Sequence, residues 1–205
     1  MKKLLLSIAL VSFCLSANAQ VKFGAKAGLN LASMTGDSSA DLDARTSLHL
    51  GFTAEIEISD SFSLQPELIY SGQGYTADYQ FEDEGDNINA EVTGKVNYLN
   101  LPVMAKFYVA ESFSLEFGPQ IGFLMSAEET DSDPIYGSDT YDFKDELKST
   151  DFSLNFGAGY KLESGLNFGL RYNMGLTDIP DEVTQDGDYD DIKHGVFQVS
   201  VGYTF

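Results

Sequence analysis

His194-Gly195-Val196-Phe197-Gln198-Val199-Ser200-Val201-Gly202-Tyr203-Thr204-Phe205, the last twelve residues, decide how this chain is read. Phe197, Val199, Val201, Tyr203 and Phe205 fall on one face, and Gln198, Ser200, Gly202 and Thr204 on the other. Alternation with period two marks a strand with one apolar and one polar side. Soluble sandwiches use such strands as well, so the fold turns on whether the pattern repeats and where the chain is sent.

The pattern repeats. Eight alternating runs lie at 21–32, 47–58, 61–74, 94–109, 112–126, 151–162, 165–177 and 194–205. The first sets Val21, Phe23, Ala25, Ala27, Leu29 and Leu31 against Lys22, Gly24, Lys26, Gly28 and Asn30. In the third, Ile69 is the exception on an otherwise polar face of Ser63, Gln65, Glu67 and Ser71. Each run is long enough to cross a bilayer at the tilt of a barrel strand, for which about 9–11 residues suffice. Three connections are tight (Ser59-Asp60-Ser61, Ala110-Glu111-Ser112, Glu163-Ser164-Gly165) and four are long (33–46, 75–93, 127–150, 178–193), in strict alternation. Short turns at one end and long loops at the other are the outer-membrane pattern. The expected fold is therefore all-β: an eight-stranded antiparallel up-and-down transmembrane β-barrel. Within the second long loop, Tyr75, Ala77, Tyr79 and Phe81 keep alternating up to Glu82-Asp83-Glu84-Gly85-Asp86-Asn87, which predicts a hairpin projecting beyond the membrane. The third loop, around Tyr141–Lys148, reads as open loop or a short helical turn.

The first residues fit this destination. Lys2 and Lys3, the apolar Leu4–Leu15 and the small-x-small Ala17-Asn18-Ala19 read as a signal peptide over 1–19, leaving 20–205 as the barrel domain. The apolar run is too short for a membrane-spanning helix. Cys14, the single cysteine, lies inside that run behind Phe13, where a lipoprotein site wants a small residue. The exported chain is then expected to hold no disulfide and no thiolate chemistry.

Without Lys2 and Lys3 the net charge moves from −20 to about −22. Nucleic-acid binding needs a basic footprint and is excluded. By location, 24 of the 32 acidic residues sit in the four long loops, and the apolar faces carry no charge. That is the division expected where a charge facing lipid costs a few kcal/mol near the midplane, about 2–4. Aromatic residues gather at both ends of the apolar faces: Phe23, Phe62, Phe107, Phe113, Tyr160, Tyr203 and Phe205 towards the tight turns, and Phe52, Tyr70, Phe123, Phe152, Tyr172 and Phe197 towards the long loops. They predict two interfacial girdles.

An eight-stranded barrel is barely wide enough for its own side chains. Its polar face here carries Glu55, Glu57, Glu67 and Glu116 with Lys22, Lys26, Lys106, Lys161 and Arg171. Buried charges are costly unless paired, so these nine residues predict an internal salt-bridge network and a plugged lumen. A symmetric turn at Glu111 puts Lys106 opposite Glu116. The same counting puts Arg171 opposite Gly157, leaving room for the guanidinium to cross the lumen towards Glu67.

Only His49 and His194 offer an imidazole base. Both fall on the polar face near the external rim, where water-facing histidines are expected, and no G-x-S-x-G nucleophile motif is present. No enzyme activity and no cofactor follow. Asp186, Asp188 and Asp190, with Asp131 and Asp133 in another loop, suit a hard cation chemically. The EF-hand order is missing, since no glycine follows Asp190 and the closing position is Phe197. These aspartates are weak metal candidates beside a diffuse acidic rim.

Leu64-Gln65-Pro66-Glu67-Leu68-Ile69-Tyr70-Ser71, Tyr98-Leu99-Asn100-Leu101-Pro102-Val103 and Phe156-Gly157-Ala158-Gly159-Tyr160 resemble the PorT-like or "porin family" outer-membrane β-barrel domain typical of Bacteroidota. The opening Val21–Asn30 is similar to that family's first strand, and the likeness spans the exported chain. It implies a single eight-stranded barrel in the outer membrane, and Phe205 as the aromatic terminus by which such barrels are recognised for insertion. It implies no catalytic residue. The namesake is an accessory of protein secretion. The chain is thus expected to be a monomeric, non-enzymatic barrel with an adhesion-like or interaction role through its acidic loops. A secretion or transport accessory and a lipid-active enzyme are the alternatives. Expected partners are outer-membrane lipid and lipopolysaccharide, the barrel assembly machinery, and a surface or secretion-system protein.

Overall fold

The computed structural model describes residues 21–36, 42–83, 86–135, 137–180 and 192–205. The expected signal peptide lies outside them, as do Asp186, Asp188 and Asp190. The strands are β1 (Val21–Thr35), β2 (Asp43–Ser59), β3 (Phe62–Asp83), β4 (Asp86–Ala110), β5 (Phe113–Asp133), β6 (Gly137–Asp142), β7 (Thr150–Lys161), β8 (Leu166–Gly175) and β9 (Lys193–Thr204). Every paired neighbour is antiparallel. β4 pairs with β5 and β9 with β1, so eight strands close a barrel. β6 stands outside the ring and, among the described residues, pairs only with the far end of β5.

The register fixes the geometry. Paired positions run from Val21 through Ile56, Leu64, Ala105, Phe117, Phe156, Tyr172 and Phe197, and return to β1 at Leu31, ten residues beyond the start. A stagger of ten over eight strands corresponds to a tilt of roughly 40°, within the usual range for barrels. At that tilt the ten residues of β8 are just enough to cross the hydrocarbon.

Polarity is inverted relative to a water-soluble fold. Phe52 is 68% exposed and Phe23 63%, whereas Glu67 is 4% exposed and Arg171 6%. Exposed apolar side chains cover the whole outer wall, a surface far beyond what a water-soluble monomer presents. Period-two patterning with the apolar side outward is what a strand needs when lipid is its solvent.

The strands run well past the expected limits on one side of the barrel. β2 begins at Asp43, not 47. β3 and β4 stay paired from the barrel out to Asp83 and Asp86, and β5 continues to Asp133 before turning back as β6. The segments read as the second and third loops therefore build a four-stranded sheet beyond the barrel. Along β3 it extends roughly 30 Å past Gly74, at about 3.3 Å per residue. The β3–β4 hairpin is the predicted projection. The β5–β6 hairpin escapes the sequence pattern because Glu128-Glu129-Thr130-Asp131-Ser132-Asp133 has no apolar alternation; its pairing is carried by β4 on one side and β6 on the other. Gly74 adopts φ +126, a conformation suited to glycine, where β3 leaves the barrel. A 3-10 turn at Lys144–Glu146 resolves the open reading of the third loop.

The tight turns gather at the end that holds Val21 and Phe205. Gly165 takes φ +90 in the turn between β7 and β8, and its carbonyl accepts from Thr204 N at 2.9 Å. Phe205 N donates to Phe23 O at 2.8 Å, so the last residue extends the β9–β1 seam by one bond. Its ring lies 5.6 Å from that of Tyr203. Deleting Phe205 removes both contacts at the closing seam. The expected outcome is a lower yield of folded barrel in outer-membrane fractions, read as loss of the compact, heat-sensitive band on a gel; an unchanged yield would count against a role in assembly.

Candidate functional site

Inward side chains fill the barrel in three successive strata. The stratum nearest the tight turns is charged. Lys22 pairs with Glu57 at 2.5 Å, and Lys161 with Glu55 at 3.0 Å. The Tyr108 hydroxyl donates to Glu55 as well. Lys106 lies opposite Glu116 in the β4–β5 register and reaches it at 3.4 Å; it also donates to Gln65 Oε1 at 3.1 Å.

Above this, Arg171 lies opposite Gly157, whose missing side chain leaves the wall open beside it. The guanidinium crosses to Glu67 as a two-pronged pair, Nη1 to Oε2 at 2.8 Å and Nη2 to Oε1 at 2.9 Å. Nη2 also donates to Glu116 at 3.1 Å. Lys26 approaches Glu67 at 2.9 Å, and Gln65 Nε2 donates to it at 2.7 Å. Glu67 is thus the hub, fully enclosed and held by two cations and an amide. A Cβ at Gly159 would stand 2.7 Å from Glu116 Oε1, so glycine there makes room for that carboxylate. The remaining gap among Lys26, Lys106, Glu116 and Arg171 is about 40 Å³, space for a water and no channel. Below the charged stratum a vestibule of about 740 Å³ opens between the tight turns, lined by Lys22, Glu57, Tyr108 and Lys161.

The second stratum is made of neutral amides and hydroxyls. Asn30 Nδ2 donates to Gly72 O at 2.6 Å and to Ser71 Oγ at 3.0 Å. Its oxygen therefore accepts, from Gln198 Nε2 at 2.9 Å and from His49 Nδ1 at 2.7 Å. Opposite, Asn173, Ser153, Gln120 and Asn155 form a closed set of side-chain bonds of 2.9–3.3 Å.

The third stratum is apolar and belongs to the outer mouth. Val96, Tyr98, Leu124 and Ala127 form a buried cluster, and Phe143 and Leu147 pack on it from the third loop. Leu147 bridges to Pro180, Lys148 N donates to Ile179 O at 2.9 Å, and Ile179 N donates to Ile192 O at 2.9 Å. The third and fourth loops are thereby stitched together over the barrel.

This cap corrects the reading of the histidines. His49 is 1% exposed and His194 2%, so neither faces water at the rim. His49 is held by Asn30, and His194 Nε2 lies 3.1 Å from the Tyr98 hydroxyl. An imidazole base needs a nucleophile or a substrate proton within hydrogen-bond reach. The partners here are an amide and a phenol. Among the described residues no group of three or more His, Cys, Asp or Glu side chains is placed to hold a metal ion. Asp131 accepts from the Tyr79 hydroxyl at 2.9 Å and Asp133 from Ile135 N at 2.7 Å, both within the projecting sheet and its turn.

Sequence reasoning missed the tyrosines that brace that sheet. Tyr75 and Tyr141 each donate to one oxygen of Glu129. The hydrogen bond to this carboxylate, with some burial, pushes the Tyr141 phenol up to about 12. Its neutral form is thus favoured in the folded sheet, and the contribution is complete below the ordinary tyrosine range and lost as pH rises through about 12.

Removing one partner of a buried pair typically costs about 3–5 kcal/mol. Glu67→Leu leaves Lys26 without its carboxylate and Arg171 with Glu116 alone, so it is expected to destabilise the barrel in detergent more than Lys106→Met, which leaves Glu116 with Arg171 and Glu55 with Lys161. Urea unfolding of both variants checks this order, and an unchanged midpoint for Lys106→Met would dissolve the direct pair. Alkaline absorbance titration tests the tyrosine brace: Glu129→Gln is expected to return Tyr141 from about 12 towards the ordinary value near 10.

The sequence profile described as "Outer membrane protein beta-barrel domain" matches residues 16–181. No curated protein matches the chain. Among solved structures, Ail, the attachment invasion locus protein of Yersinia pestis, is similar at 15% identity and a TM-score of 0.50, over 91% of this chain and 99% of that one. Neisserial surface protein A is similar at 12% identity and a TM-score of 0.45, over 91% and 99%. OprG from Pseudomonas aeruginosa is similar at 13% identity and a TM-score of 0.41, over 91% and 97%. At these identities the likeness to Ail concerns the fold alone. The chain belongs to the outer-membrane protein β-barrel domain family, and it is a small integral barrel of the outer membrane.

Proposed function

We infer that this barrel is a non-enzymatic anchor that presents an acidic sheet to partners outside the cell. The observation that carries the reading is the contrast between its two ends. The lumen is occupied by the Glu67–Arg171–Lys26 cluster and covered by Phe143 and Leu147, which argues against a transport path. The projecting strands, by contrast, expose a surface rich in acids: Asp78, Glu82, Glu91, Glu128, Asp139 and Asp142. β6 is exposed at all six positions and, among the described residues, its outer edge is unpaired. Expected partners are proteins with basic or strand-like segments, and lipopolysaccharide bridged through divalent cations. A monomer suffices for this role. A second reading, an accessory of protein secretion, rests on the resemblance of Leu64–Ser71 and Tyr98–Val103 to the PorT-like domain.

Pull-down from envelope extracts with the intact protein and with a variant joining Tyr75 to Gly94 by a short turn tests the first reading. Partners are expected to depend on the projection; identical partners for both forms would refute it. Loss of secreted proteins on gene deletion would favour the second, and altered lipid A or phospholipid species would favour an enzyme instead. In planar bilayers no large stable conductance is expected, and finding one would contradict the plugged lumen.

A further inference from the structure

We propose that the outer mouth contains a binding site for a small uncharged apolar molecule, about the size of one aromatic ring. The apolar stratum forms a recess of about 180 Å³, open on one side. Met34, Leu42, Val96, Phe143, Leu147 and Ile179 line it, with Tyr75 at one side. All four outer connections contribute: Met34 and Leu42 flank the first, Tyr75 and Val96 stand at the base of the second, Phe143 and Leu147 lie in the third and Ile179 in the fourth. These connections are otherwise dominated by acids, so the convergence of their few apolar residues on one point is the unusual feature.

Size, polarity and charge each select the ligand. An aliphatic and aromatic cavity of about 150 Å³ is enough to stay dry and take up benzene. The polar groups nearby are turned to other work: the Tyr75 hydroxyl donates to Glu129, and the backbone of Phe143, Lys148 and Ile179 is bonded to Ala127, Ile179 and Ile192. Among the described residues no polar anchor faces the space, which selects an apolar molecule. Glu128 and Glu129 on the strand beside it disfavour an anion, which excludes fatty acids and other chains with acidic heads. The site is a terminus and not a passage, because Tyr98, His194 and the amide stratum lie beneath it.

Methyl-resolved NMR of the full protein in lipid nanodiscs, titrated with fluorobenzene, tests the site. Saturable ring-current shifts are expected at the methyls of Met34, Leu147, Ile179 and Ile192, and none at lipid-facing Ile58, which is 55% exposed. Val96→Phe fills the cavity from its floor and is expected to weaken binding about tenfold or more. Leu147→Phe serves the same purpose if that variant does not fold. Absent shifts, shifts that grow linearly and equally at Ile58, or binding that survives both fillings would each overturn the proposal. Decanoate is the second arm, and binding as tight as fluorobenzene would overturn the assignment of an uncharged ligand.

Discussion

Inside hydrocarbon no water is available to an unpaired peptide group, and every structural feature of this chain follows from how β9 meets β1. Each strand interior satisfies its amides only through two neighbours, so the sheet has to end on itself. The register that achieves this is staggered by ten residues over eight strands, and the stagger sets tilt and radius together. It also fixes which inward side chains meet across the axis. Lys26 on β1 and Arg171 on β8 reach the same Glu67 on β3 because the stagger brings their heights together.

A lumen this narrow leaves no choice between filled and empty; only the filling varies. Charges occupy the half nearer the tight turns, where the vestibule keeps Lys22 and Glu57 partly hydrated. Neutral amides follow, and apolar groups close the outer mouth. The order gives most groups neighbours that satisfy them. The glutamates of the charged stratum have cations, most amides have hydroxyls and other amides, and the loop hydrophobics have one another; the buried carboxylate of Asp151, with no cation beside it among the described residues, is the exception. Most of the remaining acids lie in the loops and the projecting sheet, where water reaches them.

Much of this was legible in the chain. Period two gave the strands and their inward and outward faces, and the alternation of short and long connections gave the up-and-down order and the direction. Because the turn at Glu111 is tight, the pairing of Lys106 with Glu116 could be counted out. The reach of Arg171 across the lumen to Glu67 was anticipated from the gap at Gly157, but other oblique contacts, such as Lys161 with Glu55, could not be counted, since sequence spacing carries no record of stagger. The burial of His49 and His194 was hidden for a different reason. The residues that cover the mouth, Phe143, Leu147 and Ile179, are isolated apolar positions in acid-rich loops, and no periodicity marks them. The outer part of β5 was hidden because a two-sided polar strand in water needs neighbours, not an apolar face.

The seam between β1 and β9 has a consequence for the order of folding. All other strand pairs in the ring join segments adjacent in the chain or separated by one short hairpin, so they form by local contacts. β1 and β9 meet across nearly the whole sequence, with Gly24 opposite Thr204 and Thr35 opposite Lys193. This is the one high-contact-order event in the barrel, and loop closure of that length makes it the slow step. Until it occurs the molecule carries two open edges in or near the membrane. The seam is therefore where a nascent barrel is most exposed to pairing with the wrong strand.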